Sequence, residues 1–330
     1  MVLAPMADVT DASFRRIIAK YGKPDVLWTE FVSADGLIRA NEEGKRKLMK
    51  DLIYSEEERP IVAQLFSGSP EYMKRACALC RELGFDGIDI NMGCPDKGIE
   101  KQGAGASMMK DHKNAREVLR SAKEGAGDLP VSVKTRLGYN KDELEIWLPE
   151  LLAEEPAVVT IHARTRKEMS KVQARWDRIK RAVEIRDELK SETLIFGNGD
   201  VLDVPDGIKK CQEAGADGVM LGRAIFGNPF LFANLARENR DSQIEHTERV
   251  KRVEVYVPTV KEKLRVLVEH TKLFEKLLGD TKDFALMKKH YKAYVSGFDG
   301  ANELRAKLME VDNGGEVERI VSDYLASLKG

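Results

Sequence analysis

A (β/α)8 TIM barrel followed by a C-terminal all-helical bundle is the fold this sequence predicts, and three observations carry that prediction. Eight apolar runs of four to seven residues recur between Val2 and Arg223, each ending in polar or glycine residues. The stretches between them have helical spacing, as in Ser13–Gly22 and Gly207–Asp217. Beyond about Gln243 convincing strand-like runs stop and helical patterns take over. A doubly wound open sheet is the competing arrangement. It wants a Gly-rich turn after its first strand, and Ala4–Asp11 ("APMADVTD") is not one.

In chain order the strands are expected at Val2–Pro5, Val26–Glu30, Ile61–Phe66 and Gly87–Gly93. They continue at Val131–Arg136, Val158–Ala163, Thr193–Asn198 and Gly218–Arg223. All are apolar or β-branched, the composition of strands covered on both faces. The tail reads as four helices, within "TVKEKLRVLVEHTKLFEKLLG", "DFALMKKHYKAYVSG", "GANELRAKLMEV" and "EVERIVSDYLASL". Gly279, Gly297 and the pair Gly314–Gly315 are taken as helix stops, and "VEVYVP" (Val253–Pro258) is ambiguous. The expected division is a barrel over 1–242 and a helical domain over 243–330.

The chain has 330 residues, 42% hydrophobic and 33% charged, with a formal net charge of −1. That balance gives no global attraction to nucleic acid, so any polyanion would need a local patch. No run reaches the ~18 apolar residues of a membrane helix, and "MVLAPM" lacks the charged and apolar regions of a signal peptide. A soluble, cytoplasmic protein with no membrane contact and no obligate protein partner is expected. The first strand starts almost at residue 1, so no N-terminal extension is expected to contribute. Cys77, Cys80, Cys94 and Cys211 are too few for a disulfide framework. "CALC" lies in an amphipathic helical pattern without a second pair for zinc. It reads as buried thiols, and no metal is expected.

In such a barrel the strand C-termini form the active face. Here they carry Pro5, Met6 and Ala7, then Glu30, Gln64, Asn91 with Cys94, Lys134 with Arg136, His162 with Arg164, Asn198, and Gly222 with Arg223. One polar strand end means little; the set points to a site. "FGNGD" and "LGRAIFGNP" put glycines directly after the last two strands, where barrels often bind phosphate through backbone N–H groups. Glycines there also make ordinary turns. A phosphate at that end, with Gln64 and Lys134, suggests flavin mononucleotide (FMN). The ammonium would offset the charge of a reduced ring, and the amide would pair with its pyrimidine edge. The bland alternative for Lys134 is a solvated lysine. Cys94, in "INMGCP", is either packed or a reagent. A thiol of near-normal pKa can donate a proton to an activated C=C bond while hydride arrives on the other face. The following "DKGIEKQGAGASMM" is expected to act as a lid.

Together, "LAPMADVTDASFR", "TEFVSADGL", "AQLFSGSPE", "GFDGIDINMGCP…GAGASMM", "VSVKTRLG", "HARTR", "GNGD" and "GVMLGRAIFGNPF" resemble the tRNA-dihydrouridine synthases. The likeness covers nearly the whole barrel and continues into "KKHYKAYVSGFDGANELRAKL". "INMGCP" with the downstream Gly-Ala-Gly-Ala is the family-specific part. The resemblance implies FMN-dependent reduction of the uracil C5=C6 bond in tRNA, with NADPH or NADH as electron source. Cys94 would protonate carbon 5 and Asn91 would help place the uracil. Gln64, Lys134 and His162 would contact flavin or substrate, while Asn198, Gly199, Gly222 and Arg223 would hold the phosphate. Met6 and Ala7, with Pro5 before them, would line the isoalloxazine. After "HARTR" this chain departs from the usual aromatic-then-glycine pattern. Ser170 and Val172 stand there, although Ala174 and Trp176 are kept.

A tRNA partner would need clustered cations. Arg136, Arg164 and Arg166 near the mouth are candidates, as are Lys288, Lys289 and His290 in the tail. Lys288 and Lys292 share a helix face, next to Tyr291 and Tyr294. Residues 245–330 hold 16 Lys and Arg against 15 Asp and Glu, so the tail is not broadly basic. An ordinary solvated helix face is the plain alternative. Two rival functions remain open: a flavin reductase of a free pyrimidine, resembling dihydroorotate dehydrogenase, and an RNA-binding protein on a degenerate barrel.

Overall fold

Residues 1–233 and 255–328 are described in the computed structural model of the chain. All eight expected strands form. They are β1 Val2–Leu3, β2 Leu27–Ser33, β3 Ile61–Phe66, β4 Gly87–Asn91, β5 Val131–Arg136, β6 Val158–His162, β7 Leu194–Asn198 and β8 Gly218–Leu221. Every neighbouring pair is parallel, in the order β1-β8-β7-β6-β5-β4-β3-β2. A parallel bridge from Val2 to Val26 brings the two ends of that order together. The result is a nearly closed (β/α)8 TIM barrel with helices between the strands. Parallel strands need covered faces, which is why these runs are apolar throughout. At one level of the interior Val2, Ala4, Trp28 and Met220 pack together with Val62 and Phe196, closing the barrel floor.

The chain divides into two compact units. One contains Met1–Met6, Asp25–Leu52 and Arg59–Gly222. The other contains Ala7–Pro24, Ile53–Glu58 and the described part of Arg223–Gly330. The boundary expected at 242/243 lies outside the described residues. The helix Ala12–Tyr21, read from sequence as a barrel helix, groups with the tail helices instead. Its apolar face, Phe14, Ile17 and Ile18, is fully buried in that second unit. Phe14 stacks on His270 with ring centroids 4.9 Å apart, and Lys20 and Tyr21 both bond Glu269. Arg15 is fully buried and paired with Glu58, and also donates to the Thr10 and Ile53 carbonyls.

Four tail helices are present: Val260–Leu278, Leu286–Tyr294, Ala301–Met309 and Gly314–Ser327. The described part of the ambiguous run, 255–258, forms no strand. Gly279 caps the first of these helices, but Gly314 and Gly315 open the last one rather than ending a helix. The reason is local: Glu275 Oε1 accepts the Gly314 N–H at 2.8 Å, and a Cβ on Gly314 would stand 2.4 Å from the other carboxylate oxygen, Oε2.

Cys77 and Cys80 are buried on helix Pro70–Glu82, as the "CALC" pattern suggested. Burial pushes both thiols up, Cys80 to about 12, so neither is a reagent. Among the described residues no helix is long and apolar enough to cross a membrane.

Candidate active site

Strand register assembles the site. Side chains of alternate residues point inward, so Gln64, Asp89 and Ser132 share one interior level across β3, β4 and β5. Further along, Asn91 stands beside Lys134, and Arg136, His162 and Asn198 stand side by side on β5, β6 and β7. This polar band lies at the strand C-termini, beyond the apolar floor.

The cysteine loop is held from both sides. Asn91 Oδ1 accepts the Gly93 and Cys94 N–H groups at 3.1 and 2.9 Å. Arg136 Nε donates to the Gly93 carbonyl at 2.8 Å, and the Ala106 N–H donates to the Cys94 carbonyl at 2.9 Å. Gly105 has φ +59°, and a Cβ there would lie 2.8 Å from the Cys94 oxygen. Glycine is therefore required where the "GAGA" run turns back under the cysteine. Ile99 and Ala104 are buried with Phe66, and half-buried Cys94 packs against them, so the segment expected as a lid is pinned down. Burial raises the Cys94 thiol above its ordinary value, opposed by the Asp96 N–H and by Arg136 and Lys134. The thiol keeps its proton at neutral pH. That is the state a general acid needs.

Gln64 Nε2 donates to Asp89, and Gln64 Oε1 accepts from Asn91 Nδ2 at 3.1 Å. One N–H and one lone pair of the Gln64 amide are left for a ligand. The Lys134 ammonium makes no hydrogen bond or ion pair among the described residues. Burial, followed by the charge of Arg136, lowers it to about 8. The buried Asp89 carboxylate partly offsets this charge, but the half-buried ammonium has no hydrogen-bond partner and suits a ligand that brings negative charge. At β8, a Cβ on Gly222 would meet only the Ala4 methyl at 3.7 Å, which leaves its backbone open to approach. An unused amide N–H, an ammonium and an approachable glycine backbone are groups of the kind that fit a flavin and its phosphate.

Of the remaining predicted residues, Asn198 is tied into the barrel by its Nδ2 donating to the Met220 carbonyl at 2.7 Å. Gly199 has φ +123° and its carbonyl accepts from Trp176 Nε1 at 2.8 Å. The retained Trp176 also lies where a Cβ on Gly197 would be, so the β7 turn survives the Ser170–Val172 departure. Pro5 is buried, Met6 half-buried and Ala7 exposed, while Arg223 opens the short turn Arg223–Ile225.

The arginines are already occupied. Arg164 is 2% exposed, ion-paired with Asp200, and also donates to the Val172 carbonyl and to His162 Nε2. Its fork accepts nothing, so His162 offers it a lone pair and keeps its own proton on Nδ1. Arg166 pairs with Glu100 and lies 5.2 Å from the Tyr139 ring centroid. Arg136 is spread over the carbonyls of Gly93, Thr165 and Met169.

The tail residues do not form the surface that was expected. Met287, His290, Tyr291 and Tyr294 fall on one face of helix Leu286–Tyr294, and that face is buried. His290 is 1% exposed, in contact with the Phe14 and His270 rings, so it is corrected from an RNA contact to a core residue. Lys288 and Lys289 do reach the surface, where they pair with Asp312 and Asp8.

The sequence model of the dihydrouridine synthase (Dus) family matches residues 2–329. The chain belongs to the dihydrouridine synthase family. It is 38% identical over 329 residues to a probable tRNA-dihydrouridine synthase of Staphylococcus aureus (strain MRSA252), covering 99% of this chain and 93% of that one. It is also 38% identical over 325 residues to probable tRNA-dihydrouridine synthase 2 of Bacillus subtilis (strain 168), covering 98% and 93%. Two solved structures share the fold alone. Histamine dehydrogenase from Rhizobium sp. 4-9 aligns with a TM-score of 0.52 at 14% identity, over 83% of this chain and 48% of that one. A 2-naphthoyl-CoA reductase aligns at 0.51 and 12%, over 72% and 48%. Family membership makes this protein an enzyme, and the two solved structures add only that its barrel is a shared fold.

Three carboxylates of the site escaped the sequence reading: Asp89 under Gln64, Asp200 under Arg164 and Glu100 under Arg166. Asp89 carried a usable signal. It is a charge in mid-strand, two residues before Asn91, and therefore on the same inward face.

Proposed function

We propose that this protein reduces the C5=C6 bond of uridine in tRNA to give dihydrouridine, with FMN in the barrel mouth and NADPH or NADH as electron source. When bound, the flavin supplies the hydride that reaches carbon 6. Cys94 gives its proton to carbon 5 and is reprotonated from solvent, so that one hydride and one proton add across the double bond. Asn91 fixes the cysteine backbone and stands where a flipped base would enter. The spare N–H and lone pair of Gln64 orient the ring system, and Lys134 provides the positive charge next to it. Asn198, Gly199 and Gly222 hold the phosphate, with Arg223 adjoining Gly222 in the chain.

The observation that carries this reading is a protonated, half-buried thiol in a loop fastened at the mouth, near a lysine whose ammonium makes no hydrogen bond among the described residues. Cys94→Ala tests it. We expect dihydrouridine formation in tRNA to fall at least ~100-fold while flavin content is unchanged. Wild-type turnover by that variant rejects the assignment. Reduction of free uracil with tRNA left untouched would favour the small-pyrimidine alternative instead.

A further inference from the structure

A buried carboxylate outside the reacting groups anchors one end of a hydrogen-bond relay that runs to the cysteine loop. Asp89 is 1% exposed, on the interior face of β4. Ser132 Oγ donates to one of its oxygens at 2.5 Å, and Gln64 Nε2 donates to the other at 2.5 Å. Gln64 Oε1 then accepts from Asn91 Nδ2, and Asn91 Oδ1 accepts from the Gly93 and Cys94 N–H groups. Side-chain amides can be flipped end for end without changing shape, so two amides in series carry no direction of their own. Here the ends decide. A carboxylate can only accept, and backbone N–H groups can only donate, which leaves a single consistent orientation for Gln64 and Asn91.

We infer that Asp89 is a positioning residue: through the ordered amides of Gln64 and Asn91 it holds the Cys94 backbone in place. The inference rests on the reading of Cys94 as the acid of this site. An apolar residue at 89 would leave Gln64 free to turn over. A turned Gln64 would set its NH2 group against the Asn91 NH2 group, so Asn91 could hold the loop N–H groups only with an unpaired donor behind it. Burial holds the Asp89 carboxyl at about 6, so it is predominantly ionised and acceptor-only at pH 7 and above. An asparagine at 89 can keep its oxygen towards Gln64 and turn its NH2 to the Ser132 hydroxyl, preserving the order.

The test is iodoacetamide alkylation of Cys94 in full-length purified protein from pH 7 to 10. Peptide mass spectrometry separates Cys94 from Cys211 and from the buried Cys77 and Cys80. We expect Asp89→Asn to follow the wild-type profile within about twofold. In Asp89→Leu the loop opens, the thiol becomes more accessible and its pKa drops towards its ordinary value, so alkylation at pH 8 rises by at least about threefold. Gln64→Met removes the middle link and serves if Asp89→Leu does not fold; the same acceleration is expected. A wild-type alkylation profile in either relay-breaking variant overturns the inference, as does Asp89→Asn behaving like Asp89→Leu. Alkylation does not depend on the reaction that Cys94 serves, so a failed relay and a failed tRNA reading appear in separate assays.

Discussion

Arg136 Nε donates to the Gly93 carbonyl at 2.8 Å, while the Gly93 N–H donates back to Asn91, so the two peptide units flanking Gly93 are clamped between β5 and β4. The same guanidinium reaches the Thr165 and Met169 carbonyls. Replacing it by methionine strands buried acceptors, each worth about 1–3 kcal/mol when left unsatisfied. Arg136→Met should therefore lower the urea midpoint without changing the slope, and Arg136→Lys should recover little of it. A point ammonium does not span three carbonyls that a planar fork reaches. A wild-type midpoint in the methionine variant would show that the clamp carries no stability.

Gly105→Ala tests the other side of the loop. Its φ of +59° strains an L residue, and the new Cβ would press on the Cys94 carbonyl at 2.8 Å. The backbone strain alone costs about 1–2 kcal/mol. The cysteine must also shift. We expect a tRNA reduction rate at least tenfold lower, with tRNA binding within about twofold of wild type. Unchanged turnover would mean that the position of Cys94 tolerates displacement.

Lys134 should leave its mark on stability at alkaline pH. Its folded value, about 8, lies below the unfolded 10.5. Between those values the unfolded chain binds more protons, so flavin-free protein gains stability from this group as pH rises through that window. Lys134→Met should remove that gain and weaken FMN binding at pH 7. Denaturant titrations at pH 7 and 10, with fluorescence titration of FMN, measure both. The same upward pH step should weaken FMN binding to the wild type, since the ammonium is lost above about 8.

Much of this was legible in the chain because the barrel's signals are local. Eight runs such as Ile61–Phe66 and Val131–Arg136 appear as strands, seven of them within two residues and the second running three residues further, to Ser33, and inward residues at strand ends could be counted by alternation. Placement across the sequence was harder to read. The pattern at Ala12–Tyr21 shows an apolar stripe but not what covers it, and the cover is a helix some 250 residues later. His290 looked like part of a basic run because Lys288 and Lys289 precede it. Helical phase nonetheless puts it with Met287, Tyr291 and Tyr294 on the buried face. Partners were least visible of all: nothing near Arg164 or Arg166 in the sequence announces Asp200 or Glu100.

The histidine pair that replaced the expected RNA contact gives the last prediction. His270 and His290 lie 4.6 Å apart, both buried, and neither His290 nitrogen has a hydrogen-bond partner among the described residues. Burial lowers both rings, His290 to about 4, with Asp11 working against the shift and Lys289 adding to it. A folded value below the unfolded 6.5 means the unfolded chain takes up protons first as pH falls. Stability should then decline from about pH 6.5 down to 4, where folded His290 begins to charge as well. His290→Phe keeps a ring against Phe14 and has nothing to protonate. Its thermal midpoint should match wild type within a few degrees at pH 7.5 and exceed it at pH 4.5. Parallel losses in both proteins over that range would place the acid sensitivity elsewhere.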